Sequence, residues 1–287
     1  MSPMKKIIDM LLGRKLTAQQ NPADAQSQAA GAFDTPRYTE DWAFYLSQVD
    51  GKIGSIFVDM GVKKIAPLAD HPHVLWVTIT MNHPRPDGLS SSAEFDQLGE
   101  VEDRLIPHIT SALHAVYVGR LTSDGHRDFY FYGADPQRAE QAIAEAMATF
   151  PQYSFHSGTK VDKDWDGYLS FLYPSLQALQ TIQNERVIAQ LEQHGDPLTR
   201  ARAVSHWLYF KTEHDKKAFL AQIDGEGFSI VNQHHDRKFG QYPYQLQISR
   251  VDKVDKTSVD EYTLHLWQLA QQHQGEYDGW ETSVEKE

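Results

Sequence analysis

The sequence predicts an α+β protein built from two ferredoxin-like sandwich domains, each an antiparallel sheet with helices on one face, the first preceded by a β-hairpin. Three observations lead to this fold class. A length of 287 residues suits two domains of ordinary size. Each half of the chain repeats the order strand, helix, strand, strand, helix, strand. Several strands alternate apolar and polar residues, as a sheet covered on one face requires.

The first 36 residues are predicted to be a flexible N-terminal segment and linker. Asp9 interrupts the short apolar run near the start, and Arg14 closes it, so we predict neither a signal peptide nor a membrane span. An amphipathic helix and a frayed terminus both remain open for this run. The small, polar stretch over 17–33 is typical of a linker.

The N-terminal α+β domain, of unknown function, is expected over residues 37–167. Its leading hairpin pairs Trp42–Val49 with Ile53–Met60 around Asp50-Gly51, a strong two-residue turn signal. The later elements are a strand over 73–81, a helix over 90–113 that Pro107 kinks or divides, strands over 115–122 and 128–132, a helix from Asp135-Pro136 to Phe150, and a strand over 153–156.

The second domain is expected over residues 168–287, with a leading helix that ends at His194-Gly195. That helix is either a connector or the domain's first element. The stretch over 204–231 then changes periodicity twice and predicts strand, helix and strand, with Thr212 as helix cap. The remaining elements are a strand over 242–251, a helix to His273 with Ser258 and Glu261 as capping box, and a last strand over 275–284.

Both domains are acidic. Residues 37–167 contain 11 basic and 19 acidic side chains, and residues 168–287 contain 12 and 17. Such domains repel nucleic-acid phosphates and attract basic protein segments, although solubility alone also explains an acidic surface. We therefore expect no direct nucleic-acid binding.

No residue pattern points to catalysis, a metal or a cofactor. The chain has no Cys, which is usual in a reducing compartment and favours a cytoplasmic protein. His71 and His73, with His83 nearby, could imitate a metal cluster, but Pro72 and the loop setting make this signal weak. Adjacent His234 and His235 point apart on a strand. The acidic loop at Asp162, Asp164 and Asp166 lacks the Glu that a calcium loop needs at its twelfth position. We predict no metal and no cofactor.

The strand around 207 carries the clearest candidate for a binding surface. If Leu208 and Phe210 face the core, Trp207 and Tyr209 lie on the open face beside Gln245, Gln247 and Ser249. Exposed aromatic side chains favour protein binding. The alternative is that this face is covered within the chain or by a second copy, which leaves a homo-oligomer open.

The last third of the chain resembles a known family. The blocks AVSHWLYFKTEHDKKAFLAQIDGEGF, YPYQLQISRVDKV and GEYDGWETSVEKE are similar to the regulator of ribonuclease E activity B (RraB) family. The resemblance implies a regulator without catalysis of its own that binds the basic non-catalytic region of ribonuclease E and inhibits it in RNA decay. Residues 37–167 resemble a bacterial family of unknown function that occurs fused to RraB-like domains.

We predict a partner-binding site on the second domain and no catalytic residue. The alternative hypothesis is an enzyme, for example a hydrolase, seated in the N-terminal domain around His73, His83, Asp87 or His156. The predicted partner-binding residues are Trp207, Tyr209, Gln247, Tyr277, Asp278, Trp280 and Glu281.

Overall fold

The computed structural model describes residues 36–286, and the expectations for the N-terminal segment lie almost wholly outside this range. The chain divides into two compact units after Tyr173. We call them the N-terminal domain and the C-terminal domain and describe each by itself. Both are mixed α and β with one antiparallel sheet each, as predicted.

The N-terminal domain has the predicted ferredoxin-like order with a hairpin added. Its sheet runs β1-β2-β4-β5-β3-β6, and β6-β3-β5-β4 is the four-stranded ferredoxin-like part. The hairpin of β1 and β2 continues this sheet at the β4 edge. The elements are β1 (Trp42–Val49), β2 (Lys52–Asp59), β3 (His73–Thr80), α1 (Ser92–Leu113), β4 (Val116–Ser123), β5 (His126–Gly133), α2 (Ala139–Met147) and β6 (Phe155–Val161).

The turns of this sheet form where the sequence predicts them. Asp50 and Gly51 both have positive φ, 50° and 76°, and Val49 pairs with Lys52 across the loop. This backbone twist matches that of the flanking strands, which is why Asp-Gly is favoured there. Asp124 and Gly125 make the same kind of turn, with φ of 48° and 79°, between β4 and β5.

Helix α1 is continuous through Pro107, although the sequence suggested a kink or a division. The N–H that proline lacks would have bonded to the carbonyl of Asp103. Asp103 is exposed, so water can satisfy that carbonyl. The helical apolar stripe of α1 is buried in the core against the strands and α2: Leu98, Val101, Leu105, Ile109 and Leu113.

The segment after β6 packs on the sheet face opposite the two helices. The buried Trp165 ring stacks on Tyr132 with centroids 4.0 Å apart, and its indole N–H donates to the carbonyl of His71 at 2.9 Å. A π-helical turn, Gly167–Leu172, follows. Within it, buried Tyr168 donates its hydroxyl to the carbonyl of Asp59 at 2.7 Å.

These contacts explain why the chain divides after Tyr173 and not after Gly167, where the sequence suggested a boundary. The acidic loop also has a structural role. Asp162 accepts hydrogen bonds from the backbone N–H groups of Asp166 and Gly167 and from the Tyr132 hydroxyl. Burial would raise the pKa of Asp162, but these donors lower it below its ordinary value.

The C-terminal domain also has the ferredoxin-like strand order, β10-β7-β9-β8. The leading helix belongs to this domain and packs on its last helix. The elements are α3 (Leu176–Gln193), β7 (Arg202–Phe210), α4 (Glu213–Gln222), β8 (Ser229–His235), β9 (Tyr244–Asp252), α5 (Lys256–Gln272) and β10 (Gly275–Thr282).

The N-terminal caps of α4 and α5 can be compared with those predicted from the sequence. Thr212 caps α4 as predicted, accepting from the N–H of Asp215 at 3.1 Å. The cap of α5 is Asp255, which accepts from the N–H of Ser258, so the predicted capping box at Ser258 and Glu261 was wrong. Ser258 lies inside the helix, where its hydroxyl donates to Asp255. Asp and Ser are comparable caps, and sequence alone ranks such neighbours poorly.

Candidate functional site

Alternate side chains of β7 point to opposite faces of the C-terminal sheet, as predicted. Val204, Leu208 and Phe210 are fully buried on the side of the helices. Trp207 and Tyr209 point to the opposite side, which we call the open face, and both are partly exposed. The two aromatic side chains proposed for binding therefore do lie on the face that the helices leave uncovered.

The neighbouring strand β9 adds amide side chains to the open face. Gln247 pairs with Trp207 and Gln245 with Tyr209 across the β7/β9 ladder. The side-chain amide of Gln245 donates a hydrogen bond to the Tyr209 hydroxyl at 3.0 Å, which fixes the position of the phenol ring on the open face. Phe239, in the loop after β8, meets the Tyr209 ring edge-on at 5.2 Å.

Strand β10, the neighbour of β7 on the other side from β9, adds acidic side chains to the open face. Glu276 pairs with Tyr209 and Glu281 with Ser205, so both carboxylates belong to the open face, and both are exposed. Asp278 occupies the bulge where the register shifts between Tyr277 and Gly279, and it too is exposed. Tyr209 thus has an amide on one side and a carboxylate on the other.

Two of the predicted site residues do not lie on the open face. Tyr277 pairs with Leu208 and is therefore buried on the helix side. The bulge that follows it changes the alternation of β10, so Trp280, three positions later, lies on the same side. Trp280 pairs with His206 and is 8% exposed. Its indole N–H donates to the side-chain oxygen of Asn184 at 2.9 Å. Both aromatic rings therefore support the fold, and neither lies on the open face.

Asn184 anchors this side of β10 to the helices. Its oxygen accepts from Trp280 and from the amide of Gln180, while its nitrogen donates to Asp260 and to the Thr263 hydroxyl. All of the hydrogen-bonding capacity of this fully buried amide is used. The network fixes α3 against both α5 and the last strand.

His206, on β7 beside β10, is another buried polar side chain of this region. Its Nδ1 lies 2.9 Å from the Tyr277 hydroxyl, and its Nε2 has no hydrogen-bond partner among residues 36–286. Burial, helped by the charge of Arg250, lowers the pKa of His206 to about 3. The ring is therefore neutral at physiological pH and acts as part of the core.

A groove of about 590 Å³ lies where α3 passes the bulge of β10. We call it the β10 groove. The glycine at the bulge, Gly279, has φ of 131° and leaves open space where a side chain would stand. The lining of the groove includes polar side chains of α3, aromatic rings of β7 and β10, and acidic residues of β10. Among the lining residues are Gln183, Arg186, Trp207, Tyr209, Asp278 and Glu281.

The open face and the β10 groove are more acidic than basic. None of the open-face positions that strand pairing assigns on β7 to β10 holds Lys or Arg. Basic residues near its borders include Lys238 and Arg186. Lys238 pairs with Asp236 at 2.9 Å, and Arg186 lines the β10 groove. The geometry suits an extended ligand that brings positive charge to the β10 side and apolar groups to Trp207 and Tyr209.

Sequence reasoning missed two contributors to this surface. Glu276 alternates correctly with Asp278 on a regular strand, but only pairing with Tyr209 places it on the open face. Helix α3 contributes Gln183 to the β10 groove, and no local pattern in the sequence indicates that this helix lies beside β10. Both depend on contacts between residues far apart in the chain.

The residues of the alternative enzyme site lie on different parts of the N-terminal domain: His73 begins β3, whereas His156 pairs with Thr78, five residues further along that strand. Both ring nitrogens of buried His71 are engaged, Nδ1 with Asp70 at 2.8 Å and Nε2 with the carbonyl of His114 at 2.9 Å. Asp87 pairs with Arg85 in the connection before α1. His156 instead lines a groove on the sheet. Within the described range, no group of three or more His, Asp or Glu residues has a geometry that could hold a metal ion.

Two family models match the chain, one on each domain. Residues 181–282 match the model described as regulator of ribonuclease activity B. The C-terminal domain thus matches the RraB family. Residues 40–173 match a family of unknown function (DUF695). These ranges agree with the resemblances noted in the sequence, and each lies within one structural domain.

The RraB-like domain includes every residue of the open face and most of the β10 groove. Its family description refers to regulation of a ribonuclease activity and not to a reaction. A search of curated proteins returned no match. Among the helices of residues 36–286, none is both long enough and apolar enough to cross a membrane.

Proposed function

We propose that this protein binds ribonuclease E through its RraB-like domain and inhibits the enzyme in RNA decay, without catalysis of its own. The partner segment is the basic non-catalytic region of ribonuclease E. The observation that carries the proposal is the juxtaposition of Trp207 and Tyr209 with exposed Glu276 and Glu281 on one sheet face.

The chemistry of that surface supports a basic protein partner. Aromatic side chains supply apolar contact area, and carboxylates at the border attract Lys and Arg and exclude acidic competitors. The same carboxylates repel the phosphates of RNA, which would otherwise compete for stacking on Trp207 and Tyr209. Regulation would then act on the enzyme, not on its RNA substrate.

Calorimetry with the purified non-catalytic region of the same organism's ribonuclease E tests the proposal. We expect the intact protein to bind, more weakly as salt increases. The double substitution Glu276→Gln and Glu281→Gln removes two charges and keeps the shape, so affinity falls about tenfold. Trp207→Ala with Tyr209→Ala weakens binding by a similar or larger factor, of about tenfold or more.

A matched control uses two exposed acids away from the open face, Glu192→Gln with Glu261→Gln, which we expect to change affinity less than about twofold. Binding that is equally strong in all variants would retain the partner and contradict the proposed surface. If the intact protein binds at neither low nor moderate salt, the ribonuclease E proposal itself fails. An RNA cleavage assay with and without the protein measures the inhibition.

A further inference from the structure

The N-terminal domain has a groove of its own, on the sheet face opposite α1 and α2. It measures about 420 Å³, which is within the usual range for small-molecule sites. Strand pairing explains its floor. Thr78 on β3 lies between Asp128 on β5 and His156 on β6, because it is the direct partner of both. We call this the Asp128 groove.

Strand β5 presents three different side chains to the Asp128 groove at alternate positions. His126 precedes Asp128 by two residues and Tyr130 follows it by two, so all three share one face. Tyr130 meets the Phe171 ring edge-on, with centroids 6.1 Å apart. A carboxylate therefore lies next to an aromatic wall that is formed by two rings from separate elements.

The charges that line the Asp128 groove are predominantly negative. Three carboxylates line it, those of Asp50, Asp124 and Asp128, against the single ammonium group of Lys52. Lys52 is already paired with Asp124 at 3.1 Å. An anion entering the groove would be repelled, whereas a cation would be attracted.

The hydrogen-bonding groups of the groove also favour a donor ligand. His126 Nδ1 lies 2.9 Å from the carbonyl of Asp124, and because a carbonyl only accepts, Nδ1 carries the proton. In the neutral form of the ring, Nε2 is then an acceptor. Burial raises the pKa of Asp128, although the Thr78 hydrogen bond and the charged forms of His126 and His156 lower it. Its carboxylate is thus incompletely solvated, and a bound donor would replace water that it has lost.

We propose that the Asp128 groove binds a small organic cation, with an ammonium or guanidinium group at Asp128 and an alkyl chain against Tyr130 and Phe171. A carboxylate beside aromatic rings suits such a cation, because the ring faces and the carboxylate attract the same positive charge. This site belongs to the N-terminal domain, and the inference does not rest on the proposed binding of ribonuclease E.

Calorimetric titration of the full chain with putrescine and with agmatine tests the proposal. We expect saturable one-site binding of at least one of them, and no binding of 1,4-butanediol, which has a similar length and no charge. Asp128→Asn keeps the shape and the Thr78 contact but loses the charge, so we expect affinity to fall about tenfold or more. Tyr130→Leu should weaken binding about threefold or more through loss of the aromatic wall.

The matched control is Asp103→Asn, an exposed acid on α1 outside the groove, which should bind like the unmodified protein. Thermal unfolding of each variant verifies that it is folded, and Tyr130→Leu decides the matter if Asp128→Asn unfolds. The proposal is overturned if neither cation binds at a concentration of about 10 mM, which is well above the dissociation constants of ordinary ligands. It is also overturned if butanediol binds equally well, or if the folded groove variants bind like the control.

Discussion

The aromatic and acidic residues of β10 led us to predict a binding surface there. Whether each side chain binds a partner or supports the fold depends on its position in the structure. Tyr277 and Trp280 are aromatic residues near acidic ones, a composition typical of protein interfaces. Both are nevertheless buried, with Tyr277 next to His206 and Trp280 bonded to Asn184. Trp207 and Tyr209, of the same chemical type, are the ones that reach the open face.

At the residue scale, buried His206 should make stability depend on pH. Its pKa is about 3 in the folded protein, compared with about 6.5 for an unfolded chain. Between these values only the unfolded state takes up the proton. The contribution of neutral His206 to the free energy of unfolding is therefore complete above pH 6.5. It is lost as pH falls, by up to roughly 1.4 kcal/mol per pH unit.

The measurement is urea denaturation of the intact protein and of His206→Asn at pH 7.5, 6.0 and 5.0. Asparagine retains an acceptor for the Tyr277 hydroxyl and cannot titrate, so the difference in unfolding free energy should shift in favour of the variant as pH falls. His214→Asn, at an exposed position on α4, serves as control and should not change the pH dependence. A constant difference between His206→Asn and the intact protein would contradict the prediction.

At the scale of elements, alternation placed the two faces of β7 correctly, and the start of α5 was less well determined. The buried set of β7 follows strictly from alternation, because a pleated strand has no other arrangement. The start of α5 does not, since Asp255 and Ser258 can both accept from a free N–H group. In the structure α5 begins at Lys256, and Asp255 is the residue that caps it.

Substitutions at the start of α5 test this cap. Asp255→Ala removes the acceptor for the Ser258 N–H and should lower the unfolding free energy by about 1 kcal/mol. Glu261→Ala, at the position of the wrongly predicted capping box, should change it by less than about 0.5 kcal/mol because this side chain is exposed. Denaturant titration at neutral pH measures both. A larger loss for Glu261→Ala than for Asp255→Ala would contradict the structural cap.

At the scale of the whole molecule, the boundary between domains follows from packing of the π-helical turn. Tyr168 and Leu172 are fully buried in the N-terminal domain. The Tyr45 hydroxyl donates to the carbonyl of Leu172 at 2.9 Å. A domain that ends at Gly167 lacks these contacts and exposes the sheet beneath them.

Fragments of the chain test this boundary. Residues 36–173 should fold as a stable unit, whereas residues 36–167 should lose about 3 kcal/mol or more of unfolding free energy, since each buried side chain of this size contributes about 1.5 to 3 kcal/mol. Circular dichroism during urea denaturation compares the two. Equal midpoints would show that the turn contributes nothing and would favour the earlier boundary.

The sequence by itself determined the two-domain α+β class, the order of strands and helices, the Asp-Gly turns and the two faces of β7. These features depend on neighbours within a few residues, and periodicity and turn chemistry report on such neighbours directly. It also indicated both families through local sequence blocks.

Only the tertiary structure decided which residues meet across distant parts of the chain. Glu276 came to the open face beside Tyr209, Trp280 was buried against Asn184, and Thr78 was placed between Asp128 and His156. Strand register, a bulge and helix packing produce these arrangements. Each of them depends on the partner that a residue finds many positions away, and no local pattern encodes that choice.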